Sequence, residues 1–319
     1  MPFSDDFQSF ARSAAGSDCR MRFAPTPSGY LHIGNAMNFI LNWLVARLHG
    51  GKILLRIDDL DSERKRPEYV QDIFESLLWL GLDWDKGPGT YDRRLTTYDL
   101  RPTTDDLRPA MDDLRVTAAN EDFEKNWSQH RRLPLYFNIL EKLRATGLLF
   151  ACRKSRRDLV PFKGAYPPEF RNQNLSLDDP DVAWRIQTPD DFPAPDFIVR
   201  RRDGLPAYQV ASLADDVFFG ITHVVRGADL EASTAAQRFL ASCLGEVNFL
   251  KTRFLHHPLV TDEKGEKLSK SAGATSLKAM RERGEGPELV FRQVAGFLGL
   301  QESDSAAGLL QQLRGRLSS

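Results

Sequence analysis

The chain has 319 residues, 41% hydrophobic and 27% charged, which is typical of a soluble globular protein with one large or two modest domains. Its formal net charge of -1 excludes a uniformly basic chain, so any RNA-binding surface must be a local patch. Three widely spaced cysteines indicate a reducing compartment without a disulfide framework. There is no apolar run of about 20 residues and no basic leader segment, so we expect a cytoplasmic protein.

The first stretch of the chain predicts a tail followed by a parallel β-α-β unit. Residues 1–19 are small, polar and partly acidic, and a short helix fits them as well as a loose tail. Residues 21–37 predict a short apolar strand, a Pro/Gly-rich turn and a helix start, and the glycine pair 50–51 ends that helix. A second strand at 52–57 follows at once, so the two strands should run parallel.

The helix start after the first strand is a candidate phosphate site. Free N–H groups and the helix dipole favour phosphate at such a position. His32 and Gly34 lie there: glycine lets a nucleotide approach the backbone, and the imidazole can donate to phosphate oxygens. Taken alone, the tetrapeptide HIGN is better explained as a glycine turn with an exposed histidine.

Carboxylates cluster where the second strand ends, at Asp58, Asp59 and Asp61. Open α/β sheets bind ligands at the carboxyl ends of their strands, which makes these side chains candidate ligand contacts. The alternative is that Asp61 or Ser62 caps the next helix, whose apolar side chains recur at helical spacing up to Gly81.

An internal repeat of seven residues occupies 90–117, with the units TYDRRLT, TYDLRPT, TDDLRPA and MDDLRVT. A period of seven is typical of a coiled coil, but two units contain proline and each has only about one apolar position. Such a pattern lacks a hydrophobic seam. We therefore predict that residues 90–126 form an exposed, poorly ordered insert.

The segment 150–171 is locally basic. Its cations are Arg153, Lys154, Arg156, Arg157, Lys163 and Arg171, against the acids Asp158 and Glu169. A solvated face is the usual role of such a run. Contact with RNA phosphates is the functional alternative.

The last part of the chain combines a second strand–helix pattern with a second short motif. From residue 196 the pattern returns to that of a nucleotide fold, with a strand at 197–199 and another that ends at Gly227. The motif KLSKS occupies 267–271, in a loop after an apolar run, and residues 276–319 look helical.

HIGN followed far downstream by KLSKS resembles the paired motifs of the class I aminoacyl-tRNA synthetases. The stretches RFAPTPSGYLHIG, LLRIDDLDSERKRPEY and LGLDWD resemble the glutamyl branch of that class, as does DFIVRRRDGLPAYQVASLADDVFFGITHVVRGADL. Together these cover most of residues 20–275. The chain departs from the family at Asn35, where a second histidine is usual.

The resemblance implies an α/β fold: a Rossmann-type parallel sheet split by an inserted acceptor-binding subdomain, with a short helical C-terminus. On this basis we assign a tail (1–19), the first Rossmann half (20–89), the repeat insert (90–126), a connective RNA-binding subdomain (127–195), the second Rossmann half with the KLSKS loop (196–275) and a helical C-terminal segment (276–319). Relatives often bind zinc near residue 150. Here only Cys152 and Tyr166 remain of that ligand set, so we expect no structural zinc.

The resemblance also implies the site residues. The implied catalytic residues are His32, Lys267 and Lys270. ATP would be bound by His32, Gly34, Asn35, Lys267, Leu268, Ser269 and Lys270. The resemblance also implies that a magnesium ion accompanies ATP. Glutamate would be bound by Arg22, Thr26, Asp58, Tyr208 and Arg226, because an arginine fork pairs with a carboxylate. As alternatives, Tyr208 fits a core position and either arginine fits a surface ion pair.

The implied function is activation of glutamate by ATP and its transfer to tRNA. Residues 276–319 are too few for a large anticodon-binding region, so we expect the acceptor to be queuosine in the anticodon of tRNA(Asp), and the enzyme to be a monomer. Two alternatives stay open. One is a glutamate–tRNA ligase with a minimal C-terminus, and the other is a catalytically silent synthetase-like module that binds an amino acid, nucleotide or RNA.

Overall fold

A computed structural model describes residues 3–16, 18–90, 108–155, 157–163, 165–259 and 276–318. The chain divides into two compact units. Unit 1 comprises Met1–Gln129, Ile221–Ala228 and Arg253–Ser319, and unit 2 comprises His130–Gly220 and Asp229–Thr252. Among the helices in these described ranges, none has the length and apolar character needed to cross a membrane.

The α-helices of the described ranges are α1 (Phe3–Ser13), α2 (Ile33–Leu48), α3 (Pro67–Trp79), α4 (Arg108–Asp122), α5 (Leu133–Arg144), α6 (Tyr208–Phe218), α7 (Glu231–Leu244), α8 (Val247–Leu250), α9 (Leu277–Glu282), α10 (Glu288–Phe297) and α11 (Ala306–Ser318). The strands are β1 (Arg20–Phe23), β2 (Lys52–Leu55), β3 (Leu149–Cys152), β4 (Ala183–Ile186), β5 (Phe197–Arg200), β6 (His223–Gly227) and β7 (Arg253–His257).

Unit 1 is built on two parallel strand pairs. Strands β1 and β2 pair in parallel with α2 between them in the chain, and Gly50 ends α2 with a φ of 66° that favours glycine. Strands β6 and β7 form the second parallel pair. The Thr222 N–H donates to the Arg20 carbonyl at 2.9 Å, which joins the start of β6 to the start of β1. The predicted parallel α/β arrangement is confirmed.

The two ends of the described chain pack into the core of unit 1. Phe7 on α1 is fully buried, and the rings of Phe3 and Phe297 lie 4.6 Å apart. Helices α10 and α11 bury Val294 and Leu313 in the same core, against which α2 also packs. Of the two possibilities that the sequence left for residues 1–19, the structure has the helix, because Phe7 supplies an apolar side chain to bury.

The repeat insert is not uniformly exposed, which corrects the prediction for its second part. Residues 91–107 lie outside the described residues. From residue 108 the chain is helical: α4 is followed by a π-helical turn at Phe123–Trp127. Val116, Ala119 and Phe123 are buried in the core of unit 1. Their spacing of three and four residues places them on one helix face, so this segment has a hydrophobic stripe that the heptad reading missed.

Unit 2 combines an antiparallel sheet with helices. Strands β3, β4 and β5 form the sheet in that order. The strand predicted at 197–199 exists, but it pairs antiparallel with β4 rather than with the parallel strands of unit 1, so the parallel pattern resumes only at β6. The buried carboxylate of Asp215 on α6 accepts from Arg132 Nε at 2.7 Å and from the Tyr136 hydroxyl at 2.8 Å, which joins α6 to α5.

Candidate active site

The helix start at His32 is a reciprocal cap. His32 is the N-cap residue of α2, and its Nδ1 accepts from the Gly34 N–H at 3.1 Å. In return the Asn35 Oδ1 accepts from the His32 N–H at 3.1 Å. This capping box satisfies two N–H groups of the helix N-terminus. Asn35, which replaces the second histidine of the family motif, therefore has a defined role in shaping this turn.

The absence of a side chain at Gly34 leaves room for the His32 ring. A Cβ built at residue 34 would lie 3.0 Å from Cε1 and 3.1 Å from Nδ1 of the His32 ring. Contacts this short force a neighbour to move, and here the neighbour is the capping side chain itself. Because Nδ1 accepts a hydrogen bond, the neutral ring carries its proton on Nε2.

Two predicted glutamate ligands are buried arginines in unit 1. Arg22 on β1 is 4% exposed and Arg226 on β6 is 2% exposed. The Arg226 guanidinium lies over the Phe254 ring, 4.8 Å from its centroid. A buried guanidinium is costly without an anionic partner, and its planar fork matches a carboxylate. Burial therefore excludes the alternative of a surface ion pair for either arginine.

Asp58 is part of a buried ion pair. Its Oδ1 accepts from Arg56 Nε at 2.6 Å and its Oδ2 from Arg56 Nη2 at 3.1 Å. The Asp58 N–H also donates to the Pro25 carbonyl at 2.8 Å, which holds the end of β2 beside the turn after β1. Thr26 follows in that turn and is exposed. A carboxylate has about four acceptor sites, and Arg56 donates to one site on each of the two Asp58 oxygens.

Asp59 is engaged differently. Its carboxylate, 1% exposed, accepts from the Ser128 hydroxyl and the Gln129 N–H, both at 2.7 Å, and from Lys65 Nζ at 3.1 Å. These contacts fix the end of β2 to the chain that follows the repeat insert. Helix α3 begins at Pro67 with Arg66 as its N-cap, which excludes the alternative that Asp61 or Ser62 caps this helix.

Of the remaining predicted residues, the structure describes only Tyr208. Tyr208 is the first residue of α6 in unit 2 and is 40% exposed, which excludes the core position considered for it. Lys267, Leu268, Ser269 and Lys270 lie outside the described residues. The structure thus brings His32, Gly34 and Asn35 into one turn and sets Arg22, Asp58 and Arg226 at the strands of unit 1.

The basic segment of unit 2 divides into two groups. Arg171 is committed to the protein, because its Nε and Nη2 donate to the buried Asp196 carboxylate at 2.7 and 3.0 Å. Lys154 Nζ lies 4.5 Å from the centroid of the Phe170 ring. Arg153, Arg157 and Lys163 are exposed, and Arg156 lies outside the described residues. Only the exposed side chains fit contacts with a partner's phosphates.

Cys152 sits in a hydrogen-bonded pocket of unit 2. Its Sγ accepts from the Tyr166 hydroxyl at 3.1 Å and from the Lys154 N–H at 3.2 Å. Burial opposes ionisation, but the hydrogen bonds from Tyr166 and Gln173 outweigh burial, so the pKa of Cys152 lies below its ordinary value. Within the described ranges, no group of three or more His, Cys, Asp or Glu side chains is arranged to hold a metal ion. The expected absence of structural zinc stays a prediction.

Sequence reasoning missed Arg56, Asp72 and Gln129. Arg56 pairs with Asp58, and residues two apart in an extended segment share a face, so this pair had a local signal. Asp72 and Ser76 are buried on the inner face of α3, where a polar pair among apolar positions is a visible anomaly. Gln129 had no comparable signal, because its partner Leu60 lies 69 residues away.

Comparison with known proteins gives concordant results. The family model for the catalytic domain of class I tRNA synthetases (E and Q) matches residues 18–108 and 170–309. A glutamyl-Q tRNA(Asp) synthetase of Synechococcus sp. (strain CC9605) is 37% identical over 316 residues, covering 95% of this chain and 92% of the relative. A glutamyl-Q tRNA(Asp) synthetase of Symbiobacterium thermophilum is 35% identical, covering 88% of this chain and 86% of the relative.

Longer proteins are also similar. A glutamate–tRNA ligase of Synechococcus sp. (strain JA-2-3B'a(2-13)) is 34% identical over 86% of this chain, which spans only 56% of that ligase. The crystal structure of a glutamate tRNA ligase from Elizabethkingia meningosepticum superposes with a TM-score of 0.67 at 23% identity, covering 93% of this chain and 65% of that one. At this identity the superposition shows the fold alone, and it agrees with the α/β fold predicted from the sequence.

Proposed function

The chain belongs to the class I tRNA synthetases of the E and Q group and is a ligase of the glutamyl-tRNA synthetase type, and we propose that it activates glutamate with ATP and transfers it to queuosine in the anticodon of tRNA(Asp). The observation that carries the proposal is the histidine-capped N-terminus of α2, in the same unit as the buried Arg22 and Arg226. The first feature suits phosphate and the second suits a carboxylate substrate.

In the first step a glutamate carboxylate oxygen attacks the α-phosphorus of ATP. A phosphorus–oxygen bond forms, the bond to the bridging oxygen breaks, and pyrophosphate leaves with the electron pair. Such in-line displacements depend on positioning and on stabilising charge. His32 would donate from Nε2 to a phosphate oxygen, and Lys267 and Lys270 would act as point charges on the transferring phosphates.

Glutamate differs from glutamine in the negative charge of its side chain, so its binding site must contain groups that pair with that charge. Arg22 and Arg226 would pair with the side-chain carboxylate. Asp58, already oriented by Arg56, would accept from the substrate ammonium. Thr26 would contribute a hydroxyl from its exposed position in the turn. Glutamine would be discriminated against because its neutral amide pairs less strongly with a guanidinium than a carboxylate does.

A magnesium ion would accompany ATP. Magnesium keeps several waters and is usually held by one or two carboxylates together with the substrate phosphates. Such an ion needs no dedicated cluster of metal-binding side chains. The ion would neutralise phosphate charge, while the chain's own residues orient the nucleotide.

In the second step a queuosine hydroxyl oxygen attacks the carbonyl carbon of glutamyl-adenylate, AMP leaves, and the hydroxyl proton is released. Similarity to the glutamyl-Q relatives extends over 92% of one of them, whereas this chain spans 56% of a similar ligase. Helices α10 and α11 are packed into the core of unit 1, so they do not form a separate RNA-binding module. Exposed Arg153 and Lys163 would contact stem phosphates, and an unpaired loop base can be splayed into a site.

The activation step is tested by pyrophosphate exchange. The purified protein with ATP and magnesium is assayed with each of the twenty amino acids, and exchange is expected with glutamate. Glutamine is the matched control, because it differs from glutamate at the side-chain terminus that the arginines read. Absence of exchange with every amino acid would support the catalytically silent module instead.

The acceptor is tested with labelled glutamate and tRNA(Asp) from queuosine-competent cells, with tRNA(Asp) from cells unable to make queuosine as the control. Label is expected on the first tRNA alone, and a nuclease digest is expected to locate it on the anticodon nucleotide. A glutamate–tRNA ligase is the second candidate, favoured by the 34% identity to the Synechococcus ligase. Label on the 3′-terminal adenosine of tRNA(Glu) would select that candidate.

A further inference from the structure

A buried carboxylate on α3 holds the turn that precedes His32. Asp72 is 1% exposed, and its Oδ2 accepts from the Leu31 N–H at 2.8 Å. Its Oδ1 accepts from Arg281 Nη2 at 2.8 Å. The two oxygens thus serve different partners, one in the turn before α2 and one on α9. A buried carboxylate with a charged donor makes stronger hydrogen bonds than a neutral acceptor.

The same turn is joined directly to the start of α9. The Leu277 N–H donates to the Leu31 carbonyl at 2.8 Å, and His32 forms an isolated antiparallel bridge with Ser276. Both backbone groups of Leu31 are therefore occupied, the N–H by Asp72 and the carbonyl by Leu277. These contacts set the direction in which the chain enters α2.

Arg281 closes the network. Its Nη1 donates to the Ser76 hydroxyl at 2.7 Å, and its Nη2 also lies 2.9 Å from Glu75 Oε2. The Glu75 side chain is 35% exposed, whereas that of Asp72 is 1% exposed. Of these two carboxylates, Asp72 contacts both Arg281 and the turn before His32. Glu75 therefore shares the arginine but not the turn.

We propose that Asp72, supported by Arg281, is a positioning residue for the phosphate-binding N-terminus of α2. It acts through the Leu31 N–H, which it holds one residue before the histidine cap. The inference rests on the proposed role of His32 in nucleotide activation. The KLSKS motif ends five residues before Ser276 in the sequence, so the segment that Asp72 ties to this turn is the one that directly follows that motif.

The kinetic test uses Asp72→Asn, which keeps the side-chain size. An amide has only one oxygen, so it can accept from Leu31 or from Arg281 but not from both. Its NH2 group would then face the other N–H donor. We expect kcat for glutamate-dependent exchange to fall roughly tenfold to a hundredfold, because small misplacements of catalytic groups have effects of this size. KM for ATP and glutamate should change little. Rates are normalised to active sites by a pyrophosphate burst, so partial misfolding does not imitate the effect.

Glu75→Gln is the matched control and should keep kcat within about twofold, since it alters a partly exposed ion pair of the same arginine that does not reach the turn. If Asp72→Asn folds poorly, Arg281→Met replaces it in the test, and the same fall in kcat is expected. In the double variant with His32→Ala, Asp72→Asn should add no further loss, because a positioning effect disappears with the group positioned. Additive losses would overturn the inference.

Hydrogen exchange gives a readout independent of catalysis. The Leu31 amide is expected to be protected in the wild type and in Glu75→Gln, and to exchange at least about tenfold faster in Asp72→Asn or Arg281→Met. Unchanged protection in both of these variants would overturn the inference whatever the activity. If the wild-type protein showed no glutamate-dependent pyrophosphate exchange, the proposed function would be refuted instead. The failure of the inference and the failure of the proposed function are therefore distinguishable.

Discussion

Replacing Asp58 by asparagine tests the buried ion pair at the end of β2. The side chains of Arg56 and Asp58 are 1% and 6% exposed and form two hydrogen bonds. Removing one partner of a buried pair costs about 3–5 kcal/mol, because the other charge loses its compensation. Unit 1 has about 200 residues, for which 1 kcal/mol corresponds to a shift in Tm of about 2–4 °C. The expected fall in Tm is therefore about 6–20 °C.

The assay is thermal unfolding followed by circular dichroism and tryptophan fluorescence. Asp61→Asn is the matched control, because the side chain of Asp61 is 38% exposed and lies 3.6 Å from Arg64. Its Tm should stay within about 2 °C of the wild type, as expected for an exposed pair. A Tm of Asp58→Asn equal to that of this control would refute the reasoning.

A double variant separates stability from recognition. Arg56→Met combined with Asp58→Leu removes both charges, and replacing a buried pair by apolar side chains is often neutral or stabilising. We expect the double variant to recover most of the Tm lost in Asp58→Asn but none of the glutamate-dependent exchange. Recovered exchange would show that Asp58 does not hold the substrate ammonium.

Four further predictions concern other parts of the chain. Val116→Asp should lower the stability by about 3 kcal/mol or more, and deletion of residues 92–119 should lower Tm as well, since both remove a buried contact; unchanged Tm values would contradict the packing of α4. Lys270→Ala should lower kcat by roughly a hundredfold with little change in glutamate KM, and a loss confined to ATP binding would mean a different role. Burial lowers the pKa of His223 below its ordinary value of 6.5, so its contribution to stability is complete above that pH and is lost as the pH falls through the lowered pKa. Urea midpoints at pH 7 and pH 5 should therefore differ less in His223→Gln than in the wild type. Dialysis against a chelator should leave Tm unchanged and elemental analysis should find no stoichiometric zinc, because Cys152 already accepts two hydrogen bonds; metal at one equivalent would contradict this.

The sequence by itself determined the elements whose signals are local. The glycine pair at 50–51 marked the end of α2, and the apolar runs on either side of that helix predicted β1 and β2 as a parallel pair. The helix start near His32 was also readable, because a helix start depends on a few consecutive residues, whereas the reciprocal cap of His32 and Asn35 came only from the structure. Family motifs extended this reading from the fold to the reaction.

The tertiary structure decided where the buried charges find their partners. Asp72 and Arg281 are 209 residues apart, and Asp59 meets Gln129 across 70 residues. A periodic pattern reports which residues face a core, but it does not report which chain segment supplies the other wall. For the same reason, the seven-residue repeat at 90–117 did not predict that Val116 is buried.

The placement of the strand at Phe197–Arg200 was likewise a tertiary decision. Its apolar residues predicted a strand, yet pairing partners are chosen by which unsatisfied strand edge lies beside it, and here that edge belongs to β4. The strand pattern of a sequence specifies which backbone is extended, whereas parallel or antiparallel pairing depends on the path of the intervening chain. Local periodicity and glycines thus determined the elements of this protein. Long-range contacts of buried polar groups determined how its candidate site is held, because a buried charge is stable only where a partner compensates it.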